Sequence, residues 1–143
     1  MQGTAERLAD ERLFAYGTLM FADVLRAVLG RVIPGDAAVL EGFVRRRVRG
    51  TIYPGIVPGS GTVKGVLYEG LQPADWILLD RFEGDEYQRE RVAVLKAGAA
   101  DPVACWTYVY RTEWAGRLEG EWAPEGLEPR ILAEFTAARR RRR

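Results

Sequence analysis

The sequence predicts an α+β fold, a small mixed β-barrel with flanking short helices, on three observations. Segments such as TVKGVLYEG (62–70), YQRERVAVLK (87–96) and PVACWTYVYR (102–111) alternate polar and apolar residues, the period of a strand. Between them, FADVLRAVLG and PADWILLDRF have apolar residues at helical spacing. No internal repeat or linker divides the 143 residues, so 1–143 is expected to be a single domain with one core. Mostly strand with about three short helices, such a chain closes or nearly closes its sheet.

Taken in order, RLFAY (12–16) is the first strand and GTLM a turn. Phe21, Val24, Leu25, Val28 and Leu29 then line one helical face, and Gly30 stops the helix. Residues 36–50 form a strand ending in RRRVRG, and TIYPGIVPGSG (51–61) reads as a Pro/Gly loop before the strand at 62–70. Pro73 and Asp75 start the second helix, and Gly84 ends it. Strands at 87–96 and 102–111 follow. Residues 114–129 read as irregular and 129–138 as a short final helix, with 1–11 and 139–143 expected to be flexible.

Composition removes several kinds of chemistry. The chain has no histidine, which takes away the commonest general base and the usual catalytic zinc ligand. A single cysteine, Cys105, makes neither a disulfide nor a thiolate cluster. Neither a metal nor a cofactor is expected, and proton chemistry falls to a carboxylate, a lysine or a tyrosine. The charge of +1, from 21 basic and 20 acidic residues, gives no field favouring nucleic acid or an anionic membrane. The charged start MQGTAERLADERLF lacks a signal's apolar run, and no stretch reaches about 18 apolar residues. A soluble, cytoplasmic protein is expected; the sequence does not set its oligomeric state.

LLDRFEGDEY (78–87) holds four acids, Asp80, Glu83, Asp85 and Glu86. With Trp76 at zero on a helical wheel, Leu79 falls near about 300° and Glu83 near about 340°. Of the four acids, only Glu83 therefore has an apolar setting. Burial and the negative end of the helix dipole both favour its neutral form and raise its pKa toward the range of a general base. The alternative is a last-turn Glu bending outward to pair with Arg89 or Arg91. In YGTL (16–19), a Gly between strand and helix leaves amides free, which suits either an anion site or a tight turn. Tyr53, Tyr87 and Tyr108 suit a pocket wall or a core. Arg45, Arg46, Arg47 and Arg49 suit an anion or a solvated strand edge.

FAYGTLM, YPGIVPG, LDRFEGDEYQRERVAVL, WTYVY and EGEW, in this order, resemble the γ-glutamylcyclotransferase-like superfamily. The similarity runs from about Phe14 to Trp122 and is greatest to the plant avirulence-induced-gene branch, whose wider relatives include γ-glutamylamine cyclotransferase. The resemblance implies a small β-barrel with flanking helices. It implies that the Tyr16, Gly17, Thr18 and Leu19 loop holds a γ-glutamyl group by its amides, that Glu83 is the catalytic base, and that Tyr87 and Tyr108 border the cavity. The implied partner is a small γ-glutamyl amine or peptide, cyclised to 5-oxoproline without cofactor. Two other readings compete: a module of the same fold that binds a small anion or γ-glutamyl ligand without turnover, and a nucleic-acid-associated protein acting through its Arg runs.

Overall fold

A computed structural model of the chain describes residues 9–125. It contains β1 (Arg12–Ala15), α1 (Ala22–Leu29), β2 (Gly35–Val48), β3 (Pro54–Glu69), α2 (Pro73–Glu83), β4 (Tyr87–Lys96), β5 (Val103–Tyr110) and β6 (Leu118–Glu121). One 3-10 turn, Thr18–Met20, separates β1 from α1, and another, Thr112–Arg117, precedes β6.

The strands close on themselves. The order β3-β1-β5-β4-β2 returns to β3 because β2 pairs with both β4 and β3, which makes a closed five-stranded mixed barrel. β6 lies outside it, on the far end of β2. The pairing of β1 with β5 is parallel, and the other pairings are antiparallel. Side-chain alternation along β1 divides the core. Phe14 and Tyr16 join Leu40, Ile56, Leu67 and Val109 in one cluster. Leu13 and Ala15 join the other, which includes Val24 and Leu25 of α1 with Trp76 and Leu79 of α2. At roughly 1.5–3 kcal/mol for each fully buried large side chain, this second cluster holds the helices on the barrel.

Tight curvature depends on Gly65. A Cβ there would lie 2.3 Å from the carbonyl oxygen of Ala15 and 2.7 Å from the Phe14 ring. The first contact is with backbone inside a strand ladder, which yields little. Gly65→Ala is therefore expected to cost about 3 kcal/mol, the upper part of the usual overpacking range, measured by urea unfolding. A change under about 0.5 kcal/mol would show that this wall moves freely.

Three expectations are corrected. Residues 54–61 are strand, not loop: only residues 49–53 connect β2 to β3. Pro54 takes the first position of β3, and Pro58 adjoins a bulge at which 59–61 face Gly42 alone, between the pairs Glu41↔Thr62 and Phe43↔Pro58. Both are places where a missing N–H is tolerated. Residues 112–121 are ordered as a 3-10 turn and β6, since β6 pairs with the basic end of β2. The stretch expected to be loose before β1 is held from residue 9 onward: Ala9 is buried, and the Asp10 carbonyl accepts from Trp76 Nε1 at 2.8 Å. The expected helix at 129–138, the segment 139–143 and residues 1–8 lie outside the described residues.

α2 is closed at both ends. Gln72 and Asp75 form a reciprocal capping box ahead of Pro73, and Arg31 grips the Asp75 carboxylate with two bonds of 2.6 Å. At the other end Gly84 has a positive φ of 86° with extended ψ, a combination that a side chain resists, and its N–H returns to the Asp80 carbonyl at 3.1 Å. That stop makes Glu83 the last residue of the helix.

Candidate active site

A cavity of about 300 Å³ lies where the turn after β1, the β2–β3 connection and the last turn of α2 meet. Tyr16, Gly17, Thr18, Leu19, Tyr53, Glu83, Tyr87 and Tyr108, the site residues expected from the sequence, all line it. They come from four separate parts of the chain. Phe82, Glu86 and Thr51 also border the cavity and were not anticipated.

Glu83 keeps part of its surface, which faces the cavity, while protein encloses the rest. Burial pushes its pKa up to about 8, and the nearby charge of Asp80 pushes in the same direction. The second cause is a residue one turn earlier in the helix; the sequence pointed to the helix dipole instead. Neither arginine offered as a partner reaches it. Arg89 pairs with Asp80 at 3.2 Å and packs over the rings of Trp76 and Trp106, while Arg91 pairs with Asp10 at 2.7 Å. Among the described residues, the Glu83 side chain has no hydrogen-bond or ion-pair partner. Its ionised form, partly desolvated and unpaired, therefore costs stability once the carboxyl loses its proton.

Three phenols surround it. Tyr87 donates to the Pro54 carbonyl at 2.7 Å, Tyr108 to Asp80 Oδ1 at 2.7 Å, and Tyr16 to the Tyr108 carbonyl at 2.5 Å. Burial raises all three pKa values, and the proximity of Glu83 adds to each, so they stay protonated. Tyr108 thus spends its proton on Asp80, not on the cavity. Asp80 thereby connects Tyr108, Arg89 and the charge that Glu83 feels. In Asp80→Asn the pKa of Glu83 is expected to fall below about 8, read by ¹³C NMR titration of its carboxyl carbon. An unmoved midpoint would show that burial acts alone.

On the same cavity, β1 runs into the Thr18–Met20 turn through Gly17. The turn's carbonyls are used: Met20 N–H donates to Gly17 at 2.9 Å and Phe21 N–H to Thr18 at 3.2 Å. The N–H groups of Gly17, Thr18 and Leu19 have no acceptor among the described residues, as expected for the first amides of a helical turn. All three residues line the cavity. The space for them is tight, since a Cβ on Gly17 would come within 2.8 Å of Pro54 Cγ.

Arg45 departs from the solvated edge expected of it. It is half-buried and donates to the Tyr16 carbonyl at 2.8 Å, whereas Arg46 and Arg47 lie opposite β6. Among the described residues, no group of three or more Asp, Glu, Cys or His side chains is placed to hold a metal ion. No helix among them is long and apolar enough to cross a membrane.

The fold is a closed five-stranded mixed barrel with short helices, and one small cavity in it is lined by both Glu83 and the Gly17–Leu19 turn. The family model "Gamma-glutamyl cyclotransferase, AIG2-like" matches residues 13–124, and the chain belongs to that family. It is 35% identical over 127 residues to AIG2-like protein C of Arabidopsis thaliana, covering 88% of this chain and 74% of that one. To AIG2-like protein D of the same plant it is 37% identical over 112 residues, covering 77% and 74%. The solution structure of another Arabidopsis thaliana protein superposes with a TM-score of 0.73 at 29% identity, covering 94% and 91% of the two chains. A structure described as a gamma-glutamyl cyclotransferase shares the fold, with a TM-score of 0.62 at 18% identity over 76% of this chain and 68% of the other.

Proposed function

We propose that the protein is a γ-glutamylcyclotransferase, which converts a γ-glutamyl amine or peptide to 5-oxoproline and a free amine. The observation that carries this reading is the pairing across one small cavity of an unpartnered acid with a raised pKa, Glu83, and the free amides of Gly17, Thr18 and Leu19. At about 300 Å³ the space is at the small end of ligand pockets, which favours a compact group over a whole peptide.

The substrate's α-carboxylate and γ-carbonyl lie against the amide cluster, whose dipoles favour negative charge. Glu83 takes a proton from the α-ammonium. The freed amine attacks the γ-carbonyl carbon, the new C–N bond closes a five-membered ring, and the original amide C–N bond breaks. Glu83 returns its proton to the departing amine, and the surplus proton of the new ring nitrogen follows by the same carboxylate, so that the amine leaves as its ammonium. A base whose pKa is raised to about 8 lies much closer to an α-ammonium than an ordinary carboxylate does, so the proton transfer costs less. The nucleophile is carried by the substrate itself, and holding it in a near-attack geometry supplies much of the rate. The scheme calls on no cofactor. Tyr53 and Tyr87 shape the walls around the ring being formed. A cytoplasmic setting suits a chain whose single cysteine, Cys105, is buried and unpaired.

The test is 5-oxoproline release, followed by mass spectrometry, from a panel of γ-glutamyl amines, γ-glutamyl dipeptides and glutathione. Release from one class identifies the leaving group. Binding of 5-oxoproline without release from any member would favour a ligand-binding module instead.

A further inference from the structure

Arg45 belongs to β2, does not border the cavity, and yet bonds to the loop that does. One of its nitrogens, Nη1, donates to the Tyr16 carbonyl at 2.8 Å and to the Lys64 carbonyl at 2.9 Å, with Met20 Sδ at 3.9 Å. These carbonyls lie where the β1–β3 ladder runs out, just past its last pair, Ala15↔Val66. The guanidinium is packed 5.0 Å from the ring centre of Trp122, and Trp122 Nε1 donates to the Ile52 carbonyl at 2.6 Å. Trp122 therefore braces both Arg45 and the β2–β3 connection, whose Thr51 and Tyr53 line the cavity.

The Tyr16 carbonyl and the Gly17 N–H are the two ends of one planar peptide group. In a trans peptide they point in opposite directions, so fixing the oxygen fixes the hydrogen. A cation on the oxygen also draws electron density along the group and makes the N–H a stronger donor. We propose that Arg45 is a positioning residue that sets and strengthens the Gly17 N–H as an anion donor, with Trp122 holding the guanidinium in place. The role rests on the proposed use of that amide for a γ-glutamyl ligand. It accounts for a half-buried cation that ion-pairs with no described residue and spends its bonds on backbone carbonyls.

The experiment compares wild type with Arg45→Lys and Arg45→Gln, each shown to be folded by its ¹H–¹⁵N spectrum. Three readouts are taken: the Gly17 amide ¹⁵N shift, the affinity for added 5-oxoproline, and kcat and KM on the best γ-glutamyl substrate. The Gly17 signal is expected to move upfield in both variants while signals of α1 stay in place. Affinity and kcat/KM should fall about tenfold in Arg45→Gln, short of the loss on deleting an oxyanion donor outright, with partial rescue in Arg45→Lys. A purely structural role would lower the unfolding midpoint and leave these three readouts unchanged below it. An unmoved Gly17 signal with affinity within about twofold of wild type overturns the inference, and Arg45→Lys alone decides this if Arg45→Gln does not fold. If wild type neither binds 5-oxoproline nor releases it, the proposed function falls, and the Gly17 signal still decides the role of Arg45.

Discussion

Glu83→Gln is expected to lower 5-oxoproline release by about 10³-fold, within the range for loss of a general acid-base group, while stabilising the fold at alkaline pH. The two effects have one cause. In the native protein the Glu83 carboxyl titrates near about 8, against 4.5 without burial. Below pH 4 both the folded and unfolded chains hold the proton, and the group has no effect. As pH rises from 4.5 toward 8, the unfolded chain releases its proton while the native chain keeps it. Stability therefore falls through this window and levels off above it. Glutamine removes the penalty: the gain is expected to be near zero at pH 4 and on the order of 3–5 kcal/mol at pH 9. Urea unfolding of both proteins at the two pH values measures it. Equal gains at both would mean that Glu83 is an ordinary solvated carboxylate. The activity of wild type should rise with pH through the same midpoint, since only the ionised acid can accept the substrate's proton.

Gly17→Ala is the second large effect. The added methyl would meet Pro54 Cγ at 2.8 Å and Cδ at 3.1 Å, and the Pro54 carbonyl is the acceptor for Tyr87. Relieving the clash must push the free amides, the β2–β3 connection or Tyr87 away from the cavity. A loss of about 100-fold in kcat/KM is expected, comparable to removing one oxyanion donor, with a stability cost of only about 1–2 kcal/mol. The disproportion is the informative part, and steady-state kinetics beside thermal unfolding measures it. A stability loss with unchanged kcat/KM would remove the loop from the ligand site.

The direction of Glu83 was legible because one helical turn and two large apolar neighbours, Trp76 and Leu79, fix it; both are buried. The Gly17 turn was legible as a change from strand to helix. Arg45 was not, since strand alternation says which face a side chain takes but not that it will cross to carbonyls at the end of another strand's ladder. The Asp80 contribution was hidden for a similar reason: its charge matters through a helical neighbour, while Tyr108 and Arg89, which hold it, arrive from two strands. Residues 54–61 were misread because Pro and Gly were weighed as breakers one at a time. A first-position Pro and a bulge accommodate both within a strand.

The parallel pairing of β1 with β5 also has a consequence during synthesis. Leu13 meets Trp106, so the strand that leads into the Gly17 turn gains this neighbour only after residue 106 has left the ribosome. The β2–β3 hairpin, by contrast, is joined by residues 49–53 and can form early. The emerging polypeptide therefore carries every group of the cavity up to Tyr87 before the wall that orients them exists. The cavity wall is complete only once β5, which brings Tyr108, has joined β1 and β4.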